Sequence, residues 1–355
     1  MIKQMKHTQM DGLMRYARYL GFGDLHIKID EKSGLKAIVA IHSTKRGPAI
    51  GGCRILHYQT TNQAIEDALR LGYMMSYKAA ITNLPHGGAK AVLMKPAVIK
   101  NRDAYFEAFG EFMNELGGRY ITAVDSGSSP QEMDIIARKT KFVTCTTASG
   151  STGDPSPETA LGVRRGLQAA VKFRLGKDSL EGIHVAMQGL GHVGYALAKD
   201  LHRLGATLTL TDMDQERLKR TADECHATIC KPDEIYDVKA DVFSPNALGS
   251  VLNSNTIKRL NVKVIAGAAN NQLSHHQYGV MLLERKILYA PDFLINAGGL
   301  IYVAAIYAKG TKEQALAKID HIYDMALELF ERAERENMAT NIIARQMAKE
   351  KLGQS

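Results

Sequence analysis

An α/β fold in two domains is what this sequence predicts, on three observations. The chain has 355 residues, more than one ordinary core serves at roughly 150 residues per domain. Strand-like and helix-like runs alternate along both halves. Between the halves the composition turns small and polar over Thr146–Pro157 (TTASGSTGDPSP), as in a loop or hinge. The expected partition is an N-terminal α/β domain over 1–147, a second over 148–325 and a C-terminal helical segment over 326–355 packing back across both, with a cleft between the two domains.

Met10, Leu13, Met14, Ala17 and Leu20 fall at helical spacing, so a short amphipathic helix comes first. Strand-like runs follow at Leu25–Ile29, Leu35–His42, Ala89–Met94, Tyr120–Asp125 and Phe142–Cys145, with helical patterns at Asn62–Ala79 and Asp103–Leu116 between several of them. From Pro157 a helix leads into strands at Ile183–Gln188, Thr207–Thr211, Asp241–Phe243, Val262–Ala266 and Ile287–Tyr289. Helices at His192–Leu204 and Asp214–Cys225 alternate with them, the rhythm of a parallel sheet wound with helices. The tail from Lys312 places Ile319, Ile322, Tyr323, Ala326, Leu329 and Phe330 on one helical face.

Composition excludes several classes. Hydrophobic residues at 45% and charged residues at 23% supply substantial cores, which disordered and collagenous chains lack. The longest apolar stretches, Ala37–Ile41 and Leu300–Ile306, fall short of the ~18 residues that cross a bilayer. Met1–Asp11 has no apolar core of a signal or anchor, so a cytoplasmic location is expected. Four scattered cysteines read as reduced thiols, and none has the spacing of a metal site. The net charge of +8 is dispersed, with no aromatic-interleaved basic run, and reads as a solvated surface rather than a nucleic-acid face.

Gly189-Leu190-Gly191-His192-Val193-Gly194 is a GxGxxG between a strand pattern and a helix pattern. Gly189 suits the tight turn, Gly191 the approach of backbone to a pyrophosphate, and Gly194 the packing of helix on strand, with the helix N-terminus facing the phosphates. At the end of the next strand Asp212 can accept from the adenosine ribose hydroxyls and disfavours a 2′-phosphate. The second domain is therefore expected to be a Rossmann-type dinucleotide-binding domain that takes NAD.

In the first domain Lys78 ends a helix pattern and Lys90 closes the run His86-Gly87-Gly88-Ala89-Lys90. Converging on one cleft, one lysine could hold a carboxylate and the other act as base. Asp125 ends a strand before a Ser/Gly loop, a common place for a functional acid. The same pattern also fits solvated lysines and an acid that caps the next helix.

Taken together, Gly47-Pro48-Ala49-Ile50-Gly51-Gly52, Met75-Ser76-Tyr77-Lys78, Gly87-Gly88-Ala89-Lys90, Tyr120–Asp125, Pro155–Ala160, Gly189–Gly194, Gly267–Gln272 and Asn296-Ala297-Gly298-Gly299 resemble the amino-acid dehydrogenase family, in particular its leucine, valine and phenylalanine branch. The resemblance covers nearly the whole chain. It implies an N-terminal domain for substrate and catalysis, and the reversible conversion of an L-amino acid, water and NAD to a 2-oxo acid, ammonium and NADH. By resemblance Lys78 binds the substrate carboxylate, assisted by Asn271 and the backbone near Gly51. Lys90 is the general base that activates water, its pKa lowered by burial and by Lys78. Asp125 binds the substrate amino group and relays protons. Thr159 and Asn270 orient the nicotinamide end, and Asn246, where leucine-type relatives often have cysteine, joins the cofactor positions. Relatives form homo-oligomers, often octamers.

Glutamate-specific relatives have a lysine where this chain has Ile50 and a hydroxyl where it has Val303, so the implied substrate is apolar: a second carboxylate there would be buried unpaired. Met75, Ala123, Leu300 and Val303 fall at pocket positions. Ala123 is the leucine-type choice and Leu300 the phenylalanine-type, which puts branched-chain amino acids first and aromatic ones second. Rival readings are a hydroxy-acid dehydrogenase, which would want a histidine base with an acid and an arginine, and a catalytically silent NAD-binding sensor.

Overall fold

The computed structural model describes residues 7–148, 153–247 and 249–353; readings that fall on residues 1–6 and on 149–152 of the polar stretch lie outside them. The chain divides into two compact units. Among the described residues the first comprises those up to Asp154 with Ile306–Lys309 and residues 351–353, and the second Pro155–Ala305 with Gly310–Glu350.

The first unit is built from α1 (His7–Leu20), β1 (Asp24–Asp30), β2 (Leu35–Ser43), β3 (Ala49–Leu56), α2 (Thr61–Ile81), β4 (Gly87–Met94), α3 (Arg102–Glu115), β5 (Tyr120–Val124) and α4 (Pro130–Ala137). Its strands form one sheet in the order β1-β2-β4-β3-β5. β2 pairs antiparallel with β1 and β4, whereas β3 runs parallel to both β4 and β5. Helix α2 starts where the Thr60 hydroxyl accepts the amide of Gln63 at 3.2 Å, an N-cap that satisfies an otherwise orphaned donor. Its Ala64, Ile65, Ala68 and Leu69 are buried against Ile38 and Ala40 of β2 and Val92 of β4. Each buried Leu or Ile there contributes roughly 1.5–3 kcal/mol.

In this unit two strand assignments depart from the sequence expectation. Ala49–Leu56 is a central strand although Gly51 and Gly52 depress its intrinsic strand preference, because β4 and β5 pair with it on either side. Phe142–Cys145, expected as a strand, forms only a single bridge in which Val143 meets Thr122.

The rest of the chain supplies α5 (Ser156–Leu175), β6 (His184–Gln188), α6 (His192–Arg203), β7 (Thr207–Thr211), α7 (Gln215–Cys225), β8 (Thr228–Ile229), β9 (Val242–Pro245), α8 (Ser254–Arg259), β10 (Val264–Ile265), α9 (Gln277–Glu284), β11 (Leu288–Tyr289), α10 (Asp292–Ile295), α11 (Gly298–Tyr307), α12 (Lys312–Asp320), α13 (Ile322–Glu336) and α14 (Thr340–Leu352). Its sheet is parallel throughout, in the order β11-β10-β9-β6-β7-β8. Counted from β6, this is the doubly wound dinucleotide-binding order, whose switch point lies between β6 and β9. Ala186, Phe243, Ile265 and Tyr289 carry the core from strand to strand. The apolar face of the tail is buried as its spacing predicts, with Tyr323 half-buried, but the helix breaks at His321 into α12 and α13, and Phe330 of α13 packs on Phe173 of α5 with ring centroids 5.6 Å apart. No described helix is long and apolar enough to cross a membrane.

Candidate active site

Lys90 sits in β4 opposite Ala40 of β2. On this pleat it shares the face of Val92, which β4 presents to α2. Its side chain is only 7% exposed, and its ammonium forms an ion pair with Oδ2 of Asp125, the first residue after β5. Ser128 fixes the loop that presents Asp125. Its hydroxyl accepts the Asp125 amide at 2.9 Å and donates to the Cys53 carbonyl of β3 at 3.0 Å. The Ser126 amide donates to Asp125 Oδ1 at 2.5 Å, and the same oxygen lies 3.6 Å from the guanidinium of Arg54.

Burial lowers the Lys90 pKa to about 7, helped by the positive charges of Arg54 and, after it, Lys78 in the last turn of α2. An amine with that value is half neutral near physiological pH and can take a proton. Beside it the Cys53 thiol is pushed up to about 11 by burial and so stays protonated. Burial lowers the His86 pKa below the ordinary histidine value, and its Nδ1 lies 3.1 Å from the Pro48 carbonyl oxygen.

The other residues expected in the first unit lie on the same sheet. At Gly51 of β3 a Cβ would collide with the Ala89 carbonyl oxygen and stand 3.7 Å from Met75 Cγ of α2, so only glycine lets the two strands and the helix meet there. The Tyr120 hydroxyl donates to the Gly51 carbonyl at 2.7 Å. Ile50 is fully buried beside Gly51, and Ala123 of β5 pairs in register with Gly52. The structure thus brings Lys78, Lys90 and Asp125 into one charge cluster and sets Gly51 and Met75 in contact with its strands.

In the second unit the glycine run closes β6. Gly189 has φ +95°, and at Gly194, in the first turn of α6, a Cβ would collide with the Gly189 carbonyl oxygen. At Gly191 a Cβ would meet nothing within 4 Å. The protein's own packing requires the outer glycines, while the middle one leaves open space at the helix N-terminus, formed by His192 and Val193, as a dinucleotide pyrophosphate demands. Buried Leu190 donates its amide to Asp212 Oδ2 at 2.5 Å, which ties the end of β7 to the run.

Further residues gather at the carboxyl ends of these strands. Asn246, after β9, donates to the Ser244 carbonyl at 2.8 Å and accepts the Ala268 amide at 2.8 Å. Asn270 accepts from Nδ2 of Asn296 at 2.9 Å, and Asn271, at φ 53°, accepts the Ser250 amide at its carbonyl at 2.7 Å. Thr159 donates to the Pro155 carbonyl at 3.0 Å, and a Cβ at Gly299 would strike its hydroxyl. Leu300 and Val303 share one face of α11, Val303 buried and Leu300 half-buried.

Sequence reasoning gave no role to Arg54, Ser128 or Asn296. Arg54 follows the glycine pair in a strand whose pattern those glycines obscure. Ser128 lies in the Ser/Gly loop after Asp125, and a serine there is as often a plain turn residue. Asn296 was visible as part of Asn296–Gly299 without its partners.

The chain is similar to known proteins along most of its length. Residues 23–142 match the model of the Glu/Leu/Phe/Val dehydrogenase dimerisation domain, and residues 207–349 match that of Glutamate/Leucine/Phenylalanine/Valine dehydrogenase. The chain is 48% identical to leucine dehydrogenase of Thermoactinomyces intermedius over 91% of its length and 88% of that protein's. It is 45% identical to leucine dehydrogenase of Geobacillus stearothermophilus over 96% and 93%. The crystal structure of L-tryptophan dehydrogenase from Nostoc punctiforme superposes with a TM-score of 0.83 at 39% identity, covering 96% of this chain and 98% of that one. With both halves matched and relatives this similar along most of its length, the chain belongs to the Glu/Leu/Phe/Val dehydrogenase family of amino-acid dehydrogenases.

Proposed function

We propose that this enzyme oxidatively deaminates an apolar L-amino acid with NAD: amino acid, water and NAD give the 2-oxo acid, ammonium, NADH and a proton, reversibly. Leucine, valine and isoleucine are the proposed substrates. The observation that carries this reading is the buried ion pair of Lys90 and Asp125, with Lys78 close enough to lower the same ammonium.

NAD, when bound, supplies the acceptor for the hydride that leaves the substrate α-carbon. Lys78 holds the substrate carboxylate, with Asn271 and the Gly51 backbone assisting. Asp125 accepts a hydrogen bond from the amino group and passes on its proton. Neutral Lys90 takes a proton from the water that attacks the imino carbon, and returns one as ammonium departs. Gly189–Gly194 holds the pyrophosphate, Asp212 the adenosine ribose, and Thr159 and Asn270 the nicotinamide end, with Asn246 among the cofactor positions. Ile50 and Val303, both buried and apolar, offer no partner to a second carboxylate, which argues against glutamate. Leu300 supports an aromatic substrate as the second reading. Self-association as a homo-oligomer, an octamer by resemblance, and a cytoplasmic location belong to the same proposal.

The test is NADH formation at alkaline pH with L-leucine, L-valine, L-isoleucine, L-phenylalanine, L-tryptophan and L-glutamate. Preference for the branched-chain members supports the proposal, and aromatic preference moves it to the second reading. Activity on glutamate alone removes the Ile50 argument, and silence throughout overturns the reaction.

A further inference from the structure

We propose that Arg54 is a positioning residue for the reaction: anchored by Asp67, it holds the Asp125 carboxylate against Lys90 and keeps a second positive charge beside that amine. The inference rests on the roles proposed above for Lys90 and Asp125, and extends them to a row of charges behind the site.

Arg54 lies in β3 in register with Val92 of β4, two residues along from Lys90. One nitrogen of its guanidinium donates to Asp67 Oδ2 at 3.1 Å, and the other faces Asp125 Oδ1 at 3.6 Å. The planar fork therefore spans two carboxylates. Asp67 is fixed in turn: the Tyr58 hydroxyl donates to its Oδ2 at 2.7 Å and Arg70 to its Oδ1 at 2.8 Å. These donors and Arg54 hold Asp67 below the usual carboxylate range against the opposing effect of its burial. Both Arg54 and Asp67 are largely buried, with side chains 18% and 15% exposed, so their charges are weakly screened. The result is an alternating series, Lys90, Asp125, Arg54, Asp67, in which each member fixes the next.

The groups facing Lys90 come from each neighbouring element. β3 contributes Arg54 and Cys53, α2 contributes Lys78 and Asp67, and Asp125 follows β5. β2 places only Ala40 opposite it, while His42 further along makes edge-on ring contacts with Phe22 and Tyr73. After burial, Arg54 is the largest influence that lowers the Lys90 pKa, ahead of Lys78. Arg54 thus acts on the base from β3, whereas Lys78 acts from the last turn of α2.

The experiment compares the parent with Arg54→Gln and Arg54→Lys, with kcat and KM measured per folded enzyme across neutral to alkaline pH. Arg54→Gln removes the charge, so the acid limb of kcat/KM is expected to move up by about one pH unit. Its alkaline plateau in kcat should fall by about tenfold as Asp125 loses its brace, with KM for the amino acid within about twofold. Arg54→Lys keeps the charge without the fork, so its limb should stay at the parent position while its plateau falls. An Arg54→Gln limb that coincides with the parent's overturns the proposal, since a purely structural arginine would lower yield at every pH without moving it. If Arg54→Gln does not fold, the Arg54→Lys plateau decides, and a parental plateau overturns the proposal. Lys90→Ala separates the two levels. If Lys90→Ala is silent while the Arg54 variants match the parent, only the Arg54 role falls. If Lys90→Ala keeps parental turnover, the roles assigned to the pair fall with it.

Discussion

Leu190 and Asp212 are joined across the ends of two neighbouring strands: the Leu190 amide donates to Asp212 Oδ2 at 2.5 Å, while the Asp214 amide donates to Oδ1 at 2.8 Å. The carboxylate that would receive the ribose is therefore already aimed by its own backbone. Asp212→Ala should weaken NAD by roughly tenfold or more, since hydrogen bonds to a charged group are worth about 1.5–3 kcal/mol. NADP should weaken less, because the variant also removes a charge that repels the 2′-phosphate. KM measured for both cofactors checks this, and an unchanged ratio would take Asp212 out of cofactor discrimination.

Lys90→Ala should reduce turnover by about 10²–10⁴-fold, the usual contribution of a positioned base, while NADH binding followed by fluorescence persists. Loss of both together would mean that the residue holds the fold rather than the chemistry.

Rate should rise with pH through about 7, as Lys90 loses its proton in the folded enzyme. Stability follows the same displacement. Folded Lys90 binds a proton less tightly than an unfolded lysine near 10.5, so its burial costs most below about pH 7 and the cost is relieved as pH climbs toward about 10.5. The Tm advantage of Lys90→Met over the parent should accordingly be largest at low pH and shrink with alkalinity. An advantage independent of pH would contradict this.

Asn296 is buried and donates to both the Ala268 carbonyl at 3.0 Å and the Asn270 side chain at 2.9 Å. Asn296→Ala strands two acceptors, which costs roughly 1–3 kcal/mol, and it frees Asn270. A lowered Tm with a raised KM for NAD and little change in KM for the amino acid is expected.

Ala123→Gly should shift the ratio of kcat/KM for phenylalanine over leucine upward by about tenfold, the scale at which a methyl group discriminates in an apolar pocket. Paired kinetics on the two substrates would show it, and a ratio that stays put would remove Ala123 as a size limit.

Much of this arrangement could be read from the residues. The strands β6 and β7, the glycine turn and Asp212 follow from local pattern, since strand periodicity, turn geometry and helix start all act within a few positions. Lys90 and Asp125 were legible as candidates, but their contact was not, because it depends on β3 being inserted between β4 and β5. β3 itself was hidden by its glycines, and Arg54 with it. The two-residue strand β8 leaves no periodic trace, and the break at His321 interrupts an apolar face that runs through it without a change of phase.

The hydrogen bonds that complete the first unit span most of the polypeptide. Lys351 donates its ammonium to the Ile81 carbonyl at 3.0 Å, 270 positions away, and its own carbonyl accepts from Arg46 at 3.0 Å across 305 positions. Ile81 ends α2, the helix that carries Lys78. On a ribosome, that helix terminus would be made 270 residues before the lysine that bonds it. Its final locking depends on contacts of long sequence separation, which form late, and cutting the chain near position 351 would reach the lysine end of the site without touching any residue in it.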